Sequence, residues 1–192
     1  MKARRCGIRG LGLIACCFCG PLGAQNTLDL GQGAGETGDV ARVSLRLTTS
    51  DEVQGIVAVF QWDGARGTGA DLVPAAALAE ADTVVTRVEN DFMVLGVVMD
   101  SNPADNGGIA EVVGPGQNIL LATALITCSG ADPLPTPVTF VDDTFAAAEG
   151  GPALDNVVVV GGLSIGNLEG LNLDDGEFTC AEQLDKLIIE SG

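Results

Sequence analysis

The sequence predicts an all-β chain folded as an antiparallel sandwich, and three observations carry that expectation. Apolar and polar residues alternate with period two over several segments, the pattern of a strand with one buried face. Apolar runs of strand length are bounded by clusters of Gly, Pro, Asn and Asp, giving roughly eight to ten strand segments. Only two short stretches favour helix, too few to dominate the architecture.

Taken in order, the first 24 residues carry Lys2, Arg4, Arg5 and Arg9 ahead of the ten-residue apolar run GLGLIACCFC and end in Leu22-Gly23-Ala24. That is the layout of an export signal, residues 1–24, cleaved before Gln25. Ten apolar residues are about half of the roughly 20 that cross a bilayer, which disfavours a membrane span. Leu13 to Cys16 also resembles a bacterial lipobox, an alternative in which Cys16 is lipidated. Residues 25–192 then form a single domain with a short C-terminal tail. The expected setting is secreted, periplasmic or cell-surface.

Within that domain, the Gly-rich GQGAGETG reads as a turn-rich leading loop. In DVARVSLRLT, Ala41, Val43, Leu45 and Leu47 alternate with Arg42, Ser44 and Arg46, a half-buried strand. QGIVAVFQWD places Ile56, Ala58, Phe60 and Trp62 on one face and Val57 and Val59 on the other, as a central strand would. TVVTRVE and DFMVLGVVMD are separated by Asn90-Asp91 and predict a hairpin. NILLATALITC, PVTFVDDTFAAA, DNVVVVGGLSI and DGEFTC complete the strand segments, although Leu and Ala in the first of these would also suit a helix. Helix is expected only in PAAALAEA, with Pro74 at its start, and in the tail AEQLDKLIIE.

Once the signal is removed, 5 basic residues face 26 acidic ones, a net charge of −21. Such a chain repels a phosphate backbone, so a nucleic-acid partner is excluded. With no histidine and no tyrosine, a Ser-His-Asp or Cys-His nucleophile cannot be assembled. The carboxylate pairs Asp142-Asp143 and Asp174-Asp175 are adjacent residues that diverge on a strand, so they read as loop carboxylates rather than an acid and base. The chain is expected not to be an enzyme and to require no cofactor.

Four candidate sites remain. Cys128 and Cys180 are the two cysteines left after the signal, and in an oxidising compartment they read as one disulfide, with two free buried thiols as the alternative. DSNPADNGG offers Asp100, Asn102 and Asp105 as oxygen ligands for Ca²⁺, but its spacing is not that of an EF-hand and equally suits an ordinary hairpin loop. Trp62, with Phe60 on the same face, could stack on a sugar ring, yet so few aromatics favour a core role. Arg42 and Arg46 mark a further contact surface, or simply a solvated strand face.

The segment order adds a resemblance. GAGETGDVARVSLRLTTSDEVQGIVAVFQWD resembles the opening of cohesin-type domains: a Gly-rich turn, an aliphatic strand, a short acidic loop, then a strand ending in aromatic-Asp. GADLVPAAALAEADTVV and GGLSIGNLEGLNLDDGEFTC are similar to the family's middle and closing segments, so residues 28 to 180 are covered. The resemblance implies a jelly-roll-like sandwich of about nine strands, acting as a non-catalytic receptor that binds a dockerin-like protein through one sheet face. The expected function is therefore a monomeric, exported module that recognises an extracellular or surface protein. Polysaccharide binding, and a structural surface domain stabilised by Ca²⁺, are the alternatives.

Overall fold

The structure, a computed structural model, describes residues 26–102, 111–130, 132–142 and 153–182. The expected export signal with Cys16, the predicted tail helix apart from Ala181 and Glu182, and Asp105 and Asp143 lie outside these residues. Thirteen strands follow in order among the described residues: β1 (Asn26–Leu30), β2 (Gln32–Glu36), β3 (Val40–Thr49), β4 (Val53–Trp62), β5 (Gly67–Pro74), β6 (Thr83–Val88) and β7 (Phe92–Val98). Then come β8 (Gly116–Cys128), β9 (Asp132–Phe140), β10 (Val157–Val160), β11 (Leu163–Gly166), β12 (Leu171–Asp174) and β13 (Gly176–Ala181).

They form two facing sheets. Sheet A has the order β12-β1-β3-β8-β5, and sheet B the order β11-β10-β4-β9-β13-β2, with β7 and then β6 added on the other edge of β4. Between the sheets lies a core built from the inward set of each strand, with Leu28, Val43, Leu45 and Ile126 from sheet A against Ile56, Phe60, Leu95 and Phe178 from sheet B. The period-two expectation for β3 holds: Ala41, Val43, Leu45 and Leu47 are all buried while Arg42 is exposed. The hairpin of β6 and β7 forms as expected, with Thr83 opposite Val98 and Val88 opposite Met93.

About nine strands were expected, and the larger count has a physical reason. The two terminal strands each pass from one sheet to the other and are divided by the crossing: β1 continues into β2 past Gly31, and β12 into β13 past Asp175. They run parallel to one another throughout, Asn26 to Asp29 against Leu171 to Asp174 and Gln32 to Glu36 against Glu177 to Ala181, so each sheet is mixed rather than purely antiparallel. At the crossing the backbones nearly touch, for a Cβ on Gly176 would stand 2.6 Å from the carbonyl oxygen of Leu30. The β10–β11 hairpin supplies the remaining two strands.

Two local expectations are corrected. The GQGAGETG segment is not a leading loop, because β2 runs through it. Its glycines are there for packing: a Cβ on Gly33 would meet the carbonyl oxygen of Arg42 at 2.8 Å, and one on Gly35 would meet the amide nitrogen of Ala41 at 3.0 Å and the Sγ of Cys128 at 3.3 Å. PAAALAEA gives only a 3-10 turn, Ala76–Leu78, because Leu78 is the single side chain it buries and its N-cap has no side-chain hydrogen bond.

Candidate functional site

Cys128 and Cys180 are joined in a disulfide with Cα atoms 5.5 Å apart, fastening the end of β8 in sheet A to β13 in sheet B. Both half-cystines are buried, so the bridge is a structural staple. Trp62 is 6% exposed and Phe60 fully buried, which corrects the expectation that their faces could meet a ligand. The indole N–H donates to the carbonyl of Gly67 at 2.8 Å, so the ring packs between the sheets with its polar edge satisfied. The carbohydrate reading rested on Trp62 together with loop residues.

Loop carboxylates turn out to be tied to backbone. Asp100 accepts from the amides of Asn102 at 2.8 Å and Glu111 at 3.4 Å, closing the base of the loop that was a Ca²⁺ candidate. Asp82 accepts from both the hydroxyl and the amide of Ser101, and these bonds hold its carboxyl below the usual value of 3.8. Asp175 accepts from the amide of Phe140 at 2.9 Å. No group of three or more acidic or thiol side chains among the described residues is arranged to hold a metal ion.

The two outward sheet faces differ in chemistry. On sheet A every row across the strands carries a charged or hydroxyl side chain: Arg42 lies beside Leu125 and Asp71, Ser44 beside Thr123 and Val73, and Arg46 between Asp29 and Leu120. Arg46 is engaged within the face, donating to the carbonyl of Asn118 at 3.1 Å and to the hydroxyl of Ser44 at 3.2 Å, while Arg42 extends into solvent. This is a solvated face.

Sheet B is different. One row crosses five strands, β6, β7, β4, β10 and β11, as Val85, Gly96, Val57, Val157 and Gly166, without a single polar side chain. The adjacent row reads Thr83, Val98, Gly55, Val159 and Ser164, polar only at its ends. Val85 is 56% exposed and Val98 42%, with Val57, Val157 and Val159 half-buried around them. β-branched residues at these outward positions serve strand propensity, but a run this continuous leaves an apolar strip facing water. Arg87, over the ring of Phe92 at 5.3 Å and bonded to Glu89 at 3.1 Å, stands at the charged border of the strip.

Next to this strip lies a junction that sequence reasoning missed. β10 pairs with the first half of β4 and β9 with the last residues of the same edge, leaving Val59 between them without a strand partner for its amide. Asn156 fills the gap. Its buried side chain accepts from the amide of Val59 at 2.7 Å and donates to the carbonyl of Val141 at 3.0 Å and to Asp142 at 2.8 Å. The Asp142 carboxylate also accepts from the Asn156 amide at 2.8 Å. Beside this junction, a cleft of about 520 Å³ opens between the β10–β11 hairpin and the residues before β10, lined among others by Asp142, Asp155, Val157, Ser164, Leu168 and Glu169.

No family model and no curated protein matches the sequence. Solved structures do. The third cohesin of ScaC from Acetivibrio cellulolyticus, solved in complex with a ScaB dockerin, superposes with a TM-score of 0.60 at 16% identity over 82% of this chain and 99% of that one. A chain of the Coh-OlpA–Doc918 type I cohesin–dockerin complex from Clostridium thermocellum gives 0.59 at 10% identity over 81% and 99%. A non-cellulosomal cohesin from the archaeon Archaeoglobus fulgidus gives 0.59 at 14% identity over 84% and 94%.

Proposed function

From the cohesin-type fold of this chain we propose a non-catalytic, exported module that binds a protein partner through the outward face of sheet B. The observation that carries the reading is the uninterrupted row from Val85 to Gly166, an apolar strip on a rigid sheet whose opposite number, on sheet A, is polar in every row. Flat apolar strips with charged borders suit the desolvated centre of a protein interface better than a sugar, which would need exposed aromatic platforms. Two of the similar structures are complexes of a cohesin with a dockerin, so a dockerin-like protein is the first partner to try. Export is supported by the basic head and apolar run of residues 1–24.

The experiment is capture from the exported and surface proteins of the source cell by the immobilised chain, repeated with a Val85→Glu/Val98→Glu variant. Both side chains are exposed, so the variant is expected to fold, and its melting temperature is compared with the parent's. A partner retained by the parent and by Arg42→Glu but lost on the double variant supports this face. Equal capture by the double variant rules it out.

A further inference from the structure

A sheet that ends in solvent offers a row of unpaired backbone groups to any other chain, and among the described residues every such edge but one is blunted. In sheet A the outermost strands are β12, only four residues long, and β5, which carries a bulge between Gly69 and Asp71 and ends at Pro74. In sheet B, β11 is again four residues long, and the glycines of β2 press on β3. β9 runs past Trp62, where β4 ends, with Pro133, Pro135 and Pro137 at alternate positions that have no amide to donate. β6 has none of these devices. It pairs with β7 from Thr83 opposite Val98 to Val88 opposite Met93 without a shift in register, and Thr83, Val84, Val85, Thr86 and Val88 are all β-branched. Among the described residues no strand lies on its other side. The Glu89 amide donates to the carbonyl of Phe92 at 3.0 Å, which makes that pair a bonded one and, by alternation, the pairs of Arg87 with Val94 and Val85 with Gly96 as well. The backbone N–H and C=O groups of Val84 and Thr86 therefore point away from β7. Gly69 of β5 closes off only the far end, against Val88 and Glu89, and Thr86 is exposed.

Resting on the reading of sheet B as a docking face, we infer that an extended segment of the bound protein, with basic residues at its ends, adds to the free edge of β6 as a further strand. Bonds to the backbone of Val84 and Thr86 would hold it, and an apolar side chain beside Val85 would carry the row of Val85, Gly96, Val57, Val157 and Gly166 onto the partner. Charge complementarity sets the ends of the segment. β6 is bracketed by Glu80 and Asp82 before it and by Glu89 and Asp91 after it, all exposed, and its one basic residue, Arg87, is bonded to Glu89. A lysine or arginine at each end of an added strand meets opposite charge at both. A second copy of this chain is the poorer occupant. Two β6 strands side by side, in either direction, bring these carboxylates together between molecules that each carry a net charge of −17.

The test selects a phage-displayed library of linear peptides on the full chain and measures the peptides that emerge against Thr86→Pro, which removes an amide that β7 does not use. The expected peptides place β-branched residues between basic ends and bind Thr86→Pro about tenfold more weakly than the parent. They are also expected to slow amide exchange at Val84 and Thr86 of the parent, read by NMR. Val84→Pro takes the place of Thr86→Pro if the latter melts well below the parent. Peptides that bind the proline variant as tightly as the parent, or that leave exchange at these two amides unchanged, overturn the inference, and so does a library that yields no binder. Val85→Glu/Val98→Glu separates the two readings. Binding lost there but kept on the proline variant leaves the docking face standing without the added strand, whereas binding lost on the proline variant alone supports the added strand and counts against the face. Self-association of the parent in sedimentation that Thr86→Pro abolishes assigns the edge to a second copy and overturns the stated occupant.

Discussion

Asn156 shows how much one side chain can hold in a sheet where two strands share an edge. It is buried and makes three side-chain hydrogen bonds, substituting for the strand that β4 lacks at Val59. Asn156→Ala leaves the buried Val59 amide without its partner, at about 1–3 kcal/mol, and removes the bond to the half-buried Val141 carbonyl, at about 0.5–1.5 kcal/mol, so urea unfolding should show a loss of about 2–4 kcal/mol with an unchanged m-value. Asn156→Asp, which keeps the acceptor but faces Asp142 with a second carboxylate, should recover stability as the pH is lowered. At Asp82 the dependence runs the other way. Hydrogen bonds from Ser101 hold its folded-state pKa below the usual value, so their contribution is fully present above the usual value and is lost as the pH falls from there through the lowered one. Replacing it in Asp82→Asn should therefore make the stability curve flatter below about pH 4 while leaving its shape near neutrality unchanged.

Among the elements, those with alternating side chains were legible and those shaped by close backbone contact were not. β3, β4 and β8 announce themselves because each buries alternate aliphatic side chains. β2 has no such side chains to show, because its inward positions are glycines pressed against Arg42 and Ala41. A Gly-rich strand and a Gly-rich loop look alike in one dimension. The same closeness governs the crossing of the terminal strands: Gly176→Val should destabilise the domain by several kcal/mol, since the obstacles to its Cβ are backbone carbonyls that cannot yield. The disulfide secures the far end of β13. Closing a loop across a sequence separation of 52, it should contribute about 4 kcal/mol in the chain-entropy model, read as the drop in stability of a Cys128→Ala/Cys180→Ala variant.

For the molecule as a whole, the sandwich was foreseeable from patterning, but the proposed docking face was not. Val57 and Val59 were visible as apolar residues on the second face of a central strand, which by itself says only that something covers them. Whether that cover is the protein's own chain or another molecule depends on register across five strands, and single-strand periodicity carries no information about register. Once the pairing is known, Val85, Gly96, Val57, Val157 and Gly166 fall into line. Trp62 was read more fully from sequence: its chemistry allowed a binding platform, the scarcity of aromatics favoured a core role, and it lies between the sheets with its N–H bonded to Gly67. The most direct test of the proposed docking face is amide hydrogen exchange of the chain with and without its captured partner. Slowed exchange in β6, β7, β4 and β10, with β1, β3 and β8 unchanged, is the predicted result. Protection confined to β1, β3 and β8 would contradict it and place the partner on sheet A.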